Sequence, residues 1–220
     1  MRNLASVVKL DIEAFFNEHH LEILYNERDF QIHLAMYLKG CGHYDDVDLE
    51  YFVPTSLLEG YKDLWDTELR LDILVTKGGE YCPVELKYKT KKIKSSLKRF
   101  GEVFQEIVIV KDQSAIDLGM YGFWKDVKRV EMVKTRFEAV KSGIVVFLTN
   151  DESYRKPSRE NSNNRQFTMC EGINSSSKHW QRETKIAQSH VGFDLLRDYN
   201  IDWNESVFGG HCFHYCVVEI

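Results

Sequence analysis

Apolar residues recur at Leu4, Val7, Val8, Ile12, Phe15 and Phe16, the spacing of one helical face, and predict a first helix over 4–18. Asn26 can cap a second helix, with Asp29 at its third helical position. Phe30, Leu34 and Leu38 form the apolar stripe of that helix, and Gly40 ends it. Residues 47–53 read as a short strand closed by Pro54. A stronger strand follows over 68–76, with Leu69, Leu71, Ile73 and Val75 on one face and Arg70, Asp72 and Leu74 on the other. Lys77-Gly78-Gly79-Glu80 is a turn, and 81–88 returns as the partner strand. Residues 95–110 read as a helix and 114–136 as another. The apolar run at 143–149 reads as a buried strand. Residues 150–166 form a polar loop expected to order poorly, 167–207 show no readable period, and 212–220 read as a closing strand. The order predicts an α/β (mixed α+β) fold, a central mixed sheet flanked by helices. No repeat or linker divides the chain, so 1–220 reads as one domain, with 150–220 as an elaboration.

Length and composition narrow the function classes. A chain of 220 residues can bury a sizeable core. Its longest purely apolar run, 144–148, is far too short to span a bilayer, and Lys9, Asp11 and Glu13 interrupt any signal-like segment near the start. The 5 cysteines are scattered and odd in number, which points away from a disulfide framework and toward a reducing, cytoplasmic setting. A net charge of −5 excludes a wholesale polycation, so any nucleic-acid binding must come from a local patch. Such a patch exists. The interval 41–68 carries acids from Asp45 to Glu68 against Lys62 alone, whereas 87–99 holds seven lysines and arginines and no acid.

The residues just before that basic run carry the candidate chemistry. Asp72 interrupts an apolar strand, and across the hairpin comes Glu85-Leu86-Lys87, with Glu85 and Lys87 on one face. If the turn pairs the strands in register, Asp72 lies beside Glu85. Two neighbouring carboxylates raise each other's pKa unless a cation sits between them. Their hard oxygens suit Mg²⁺ or Mn²⁺. A cation so held polarises a phosphoryl oxygen and activates water, while Lys87 can orient or deprotonate that water or neutralise the phosphate. Lys89, Lys91 and Lys92 are candidates for contact with a nucleic-acid backbone.

Asp72 followed by Glu85-Leu86-Lys87 resembles the D-x(n)-E-x-K motif of the PD-(D/E)XK, restriction-endonuclease-like nucleases, with Leu71 where the family name has proline. The resemblance implies a core of order α-β-β-β-α-β, matched over about 26–149, and a metal-dependent nuclease acting on DNA, with RNA left open. It implies a further acid on the helix before the hairpin. Within Asn26-Glu27-Arg28-Asp29-Phe30-Gln31, Glu27 matches best, Gln31 shares its face, and Glu13 and Asp29 compete. By the resemblance Glu27, Asp72 and Glu85 hold the metal, the Leu86 carbonyl is a further ligand, and Lys87 is the catalytic lysine. Proteins with such a site often act as homodimers or within larger nuclease complexes.

Rival readings accompany this one. The same fold can serve as a catalytically inactive module that binds nucleic acid or a protein, with Asp72 and Lys87 as an ordinary cross-strand pair. The segment 115–131, with Tyr121, Lys125, Asp126, Lys128 and Arg129, reads as a solvated amphipathic helix. Cys212, His214 and Cys216 share one strand face and read as buried core residues rather than a zinc site. Cys41-Gly42-His43 is the other Cys/His cluster. The tryptophans read as packing residues.

Overall fold

The computed structural model describes residues 3–18, 23–113 and 115–220. Helices α1 (Leu4–Glu18) and α2 (Glu27–Gly40) lead into strand β1 (Asp46–Val53). The Asn26 side chain accepts from the Asp29 N–H at 3.0 Å, the cap its position predicts. A one-turn helix α3 (Tyr61–Leu64) precedes the hairpin of β2 (Leu69–Lys77) and β3 (Glu80–Lys89). Gly78 and Gly79 turn that hairpin at φ +58° and +80°, a conformation glycine adopts without strain.

The segment 95–110 is not a helix. It forms a second hairpin, β4 (Ile93–Arg99) and β5 (Glu102–Val110), standing as a separate two-stranded ribbon. Its turn is Phe100-Gly101, at φ +52° and +88°. A bulky residue seldom takes positive φ, so the sequence carries no ordinary turn signal there. The β-branched and aromatic run Val103, Phe104, Ile107, Val108, Ile109 and Val110 is nonetheless strand-like in composition. The chain continues into the long helix α4 (Ile116–Arg136) and strand β6 (Ile144–Thr149). The expected helix start at Ser114 lies outside the described residues.

The region without a readable period holds short pieces: β7 (Gly172–Asn174), β8 (Ser177–Lys178), α5 (Lys185–Ser189), β9 (Phe193–Asp194) and β10 (Tyr199–Ile201). Strands β11 (Asn204–Phe208) and β12 (His211–Glu219) close the chain. The polar stretch 150–166 folds against the body: Tyr154 is buried, and Asp151 pairs with Lys91 at 2.9 Å.

The six-stranded central sheet has the order β1-β2-β3-β6-β12-β11. Only β3 and β6 run parallel, because α4 carries the chain back across the sheet between them. The other neighbours are antiparallel. Helices α1 and α2 cover one face, where Phe15, Phe16, Phe30 and Leu34 pack with Ile73, Val84, Leu86 and Tyr88. Helix α4 covers the other, where Phe123, Trp124 and Val127 pack with Val145, Phe147 and Cys216. Central β6 is buried along its whole length, which explains its unbroken apolar run. Cys216 is buried as expected, but Cys212 on the same strand face is exposed, so only part of that reading holds.

Candidate active site

The hairpin pairs from Lys77↔Glu80 as far as Ile73↔Val84, and there β2 and β3 part. Strand β2 stays with β1 through Val53↔Leu69, while β3 stays with β6 through Lys89↔Thr149. The next pair in register is Asp72 and Glu85, so both carboxylates stand at the fork. Parting leaves β3 backbone N–H groups without ladder partners, and buried N–H groups must be satisfied. Two carboxylates take them. Asp72 Oδ2 accepts from Leu86 N at 2.7 Å, and Glu27 Oε2, from the first residue of α2, accepts from Tyr88 N at 2.8 Å. Gln31, one helical turn on, donates to the Asp72 carbonyl at 2.7 Å and to Glu50 Oε1 at 3.0 Å. The competing acids turn elsewhere: Glu13 pairs with Lys9, and Asp29 accepts from Tyr25 N.

Glu85 and Lys87 face α4, which is not the solvated helix its charges suggest. Tyr121, Trp124 and Asp126 are buried, and Lys125 and Arg129 are half-buried. Arg129 Nη1 lies 3.1 Å from Glu85 Oε2 and 3.4 Å from Asp126 Oδ1. Lys87 Nζ lies 2.9 Å from Asp126 Oδ2. The result is an alternating chain of charges, Glu85–Arg129–Asp126–Lys87. Asp126 and Arg129 were missed as site residues because nothing along the chain signals a partner more than 38 positions away. The guanidinium of Arg129 and the ammonium of Lys125 also lie over the Trp65 ring, 5.4 and 4.8 Å from its centre. Trp65 stacks in turn on Tyr61. Gly122 on α4 leaves space beside the Lys87 stem, where an added Cβ would lie 3.8 Å from Cε.

Burial sets the electrostatics. It pushes the Asp72 carboxyl up to about 6, with Asp126 and Glu27 adding to the rise and the Leu86 N–H and Lys87 opposing it. Glu85 is held well above the usual carboxylate range, by burial first and by Asp72 and Asp126, against the pull of Arg129 and Lys87. For Lys87, burial favours the neutral amine, but Asp126, Glu27 and Glu85 outweigh it and raise the pKa above the ordinary lysine value. In this arrangement Lys87 holds its proton, which opposes the base role open to it from sequence. Lys89 is shifted down by burial and by Lys87. Among the other basic candidates, Lys91 is tied to Asp151 at 2.9 Å, and Lys92 is exposed.

Carboxylate oxygens are the ligand type that a hard divalent cation takes. Glu85 Oε1 is buried with no hydrogen-bond partner, and Asp72 commits only one oxygen to a bond among the described residues. Mg²⁺ is commonly held by one or two carboxylates, with water and substrate phosphate completing the shell. Glu27 is turned to Tyr88 N, and the three acids do not form a closed triplet. Among the described residues, the one group of three potential ligands with all ligand atoms within 4.8 Å is Asp11, Cys41 and His43. No helix among the described residues is long and apolar enough to cross a membrane.

A scan against protein-family models, a search of curated proteins and a search of solved structures each return no match to this chain.

Proposed function

We propose that the chain is a metal-dependent nuclease of the PD-(D/E)XK, restriction-endonuclease-like type, hydrolysing phosphodiester bonds of DNA. The observation that supports this reading is the fork between β2 and β3. Asp72, Glu85, Lys87 and Glu27 gather there from three elements, and one buried oxygen of Glu85 has no hydrogen-bond partner among the described residues. A cluster of acids and a lysine in so buried a place is often a functional one.

Asp72 and Glu85 would hold Mg²⁺ or Mn²⁺, with Glu27 as the third carboxylate. When bound, the cation polarises a phosphoryl oxygen and lowers the pKa of a bound water. Lys87, kept charged by Asp126 at 2.9 Å, supplies positive charge against the phosphate as negative charge develops on it. Asp126 thereby positions Lys87. Arg129 neutralises Glu85 and competes with a cation for that carboxylate, and Asp126 at 3.4 Å is the partner it can fall back on. Half-buried Lys89 and exposed Lys92 would meet the backbone of the substrate, with Lys91 dividing its charge between phosphate and Asp151.

The test is plasmid cleavage in Mg²⁺, Mn²⁺ or EDTA by the wild type and by Asp72→Asn, Glu85→Gln and Lys87→Ala. Metal-dependent nicking reduced by about 10²–10³-fold in each variant is expected. Equal cleavage by all four proteins would refute the assignment.

One observation favours a second reading. Arg129 and Asp126 neutralise Glu85 and Lys87 without any metal, as a purely structural network would. On that reading the chain is a binding module for nucleic acid or a protein. It would hold DNA equally well in EDTA and show no rise in melting temperature with Mn²⁺.

A further inference from the structure

On the far side of α2 from the fork, three ligand-type side chains meet that the nuclease reading does not use. Asp11 projects from α1, Cys41 caps the C-terminus of α2, and His43 follows two residues later. Gly42 between them takes φ +69°, which L side chains rarely adopt. The chain reverses there, and the thiol and the imidazole come to the same side, toward Asp11. The Asp11 oxygen, the Cys41 sulfur and the His43 ring nitrogen all lie within 4.8 Å of one another. Asp11 Oδ2 accepts from His43 Nδ1 at 2.8 Å and from the Tyr44 hydroxyl.

The surroundings are rich in anions. The carboxylates of Asp11 and Glu18 both lie near the Cys41 thiol. Tyr37 donates to Glu18 at 2.9 Å. A divalent cation would relieve this crowding. Thiolate, imidazole and carboxylate together match a borderline-soft, tetrahedral ion rather than Mg²⁺.

We propose that Asp11, Cys41 and His43 form a Zn²⁺ site, with the fourth tetrahedral position open to water. Zinc bonds of about 2.0–2.3 Å set neighbouring ligand atoms about 3.3–3.6 Å apart. The Asp11–His43 pair, now 2.8 Å apart, would open to that spacing as the half-exposed His43 ring turns, and the Cys41 thiol would draw in. On binding, Cys41 releases its thiol proton to solvent and forms the Zn–S bond. His43 Nδ1 exchanges its hydrogen bond with Asp11 for a Zn–N bond, and the neutral ring carries its proton on Nε2. Asp11 supplies the oxygen ligand, and the Tyr44 hydroxyl goes on orienting that carboxylate. The ion ties α1 to the end of α2, the helix whose other end carries Glu27.

Cobalt titration of the reduced full chain tests this. One equivalent of Co²⁺ is expected to produce the thiolate-to-cobalt band in the near ultraviolet and the intense visible bands of a tetrahedral ion. Equimolar Zn²⁺ should abolish both. Cys41→Ser should lose the thiolate band, and Asp11→Asn and His43→Ala should lose most of the visible intensity, with unchanged far-ultraviolet circular dichroism. The double variant Asp72→Asn/Glu85→Gln should keep every band, which separates this site from the fork. Absence of a thiolate band at equimolar Co²⁺ would overturn the proposal. So would a band that survives Cys41→Ser, which would place the metal at Cys170 or Cys212.

Discussion

Replacing Arg129 by Met tests how the fork tolerates a buried acid. The substitution keeps an apolar stem against Trp65 and removes the charge 3.1 Å from Glu85, whose side chain is 2% exposed against 18% for Arg129. Glu85 Oε1 already lacks a hydrogen-bond partner among the described residues, so the variant leaves the whole carboxylate unpaired by arginine. Removing one member of a buried pair costs about 3–5 kcal/mol. Protonation limits the loss. Taking up a proton at pH 7 by a carboxyl of ordinary pKa about 4.3 costs 2.7 units at 1.36 kcal/mol each, about 3.7 kcal/mol. Burial already holds the wild-type carboxyl well above its ordinary range despite Arg129, so about 3–4 kcal/mol is the upper limit of the loss. At about 2–4 °C per kcal/mol for a chain of this size, the melting temperature should fall by no more than roughly 16 °C. The limit also carries a pH signature. The folded carboxyl titrates above its unfolded value, so stability is fully present below about pH 4.3 and is lost as pH rises. Arg129 opposes that rise in the wild type, so the deficit should shrink as pH falls and both proteins take up the proton. Urea unfolding followed by circular dichroism at both pH values measures this, and Glu85→Gln in the Arg129→Met background should recover most of the loss. A variant as stable as the wild type at pH 7, or a deficit that grows as pH falls, would refute the reasoning.

Three further outcomes are expected. The Asp72 carboxyl, raised from 3.8 to about 6, removes stability as pH rises through that window. Asp72→Asn can still accept from Leu86 N but carries no charge, so its unfolding free energy in urea should match the wild type near pH 4 and exceed it above pH 6, by up to about 3 kcal/mol. Lys178 is fully buried over the Trp124 ring, and burial lowers its pKa to about 7. The wild type thus carries a cost at pH 7 that fades as pH rises toward 10.5. Lys178→Met should relieve on the order of 4 kcal/mol, offset by about 1–3 kcal/mol for the Gln166 carbonyl it leaves unpaired, with the net gain vanishing at high pH. Phe100→Asn places a residue tolerant of positive φ at the ribbon turn, where φ is +52°, and thermal melts should show a gain of up to about 1 kcal/mol.

Local physics made much of this molecule legible from its sequence. Helical spacing marked α1 and α2, the Asn26 cap marked where α2 begins, and Gly78-Gly79 marked the β2–β3 turn. These signals act within a few residues, where dihedral preference and side-chain period decide the outcome. The oddity of Asp72 in an apolar strand, with Glu85 and Lys87 across the turn, was visible for the same reason. The β4–β5 ribbon was hidden because its turn places a phenylalanine where a glycine or asparagine would announce itself.

What the charged residues meet was decided only by tertiary structure. Glu27 reaches the Tyr88 N–H because β2 leaves β3 after Ile73, and that parting follows from β2 staying paired with β1. Arg129 and Asp126 became partners of Glu85 and Lys87 because α4 packs its apolar face on the sheet and carries these charges into the fork. Asp11 meets Cys41 and His43 because α1 lies against α2. A charge's partner depends on which elements pack together, and that is set by burial summed over the whole chain rather than by the residues beside it.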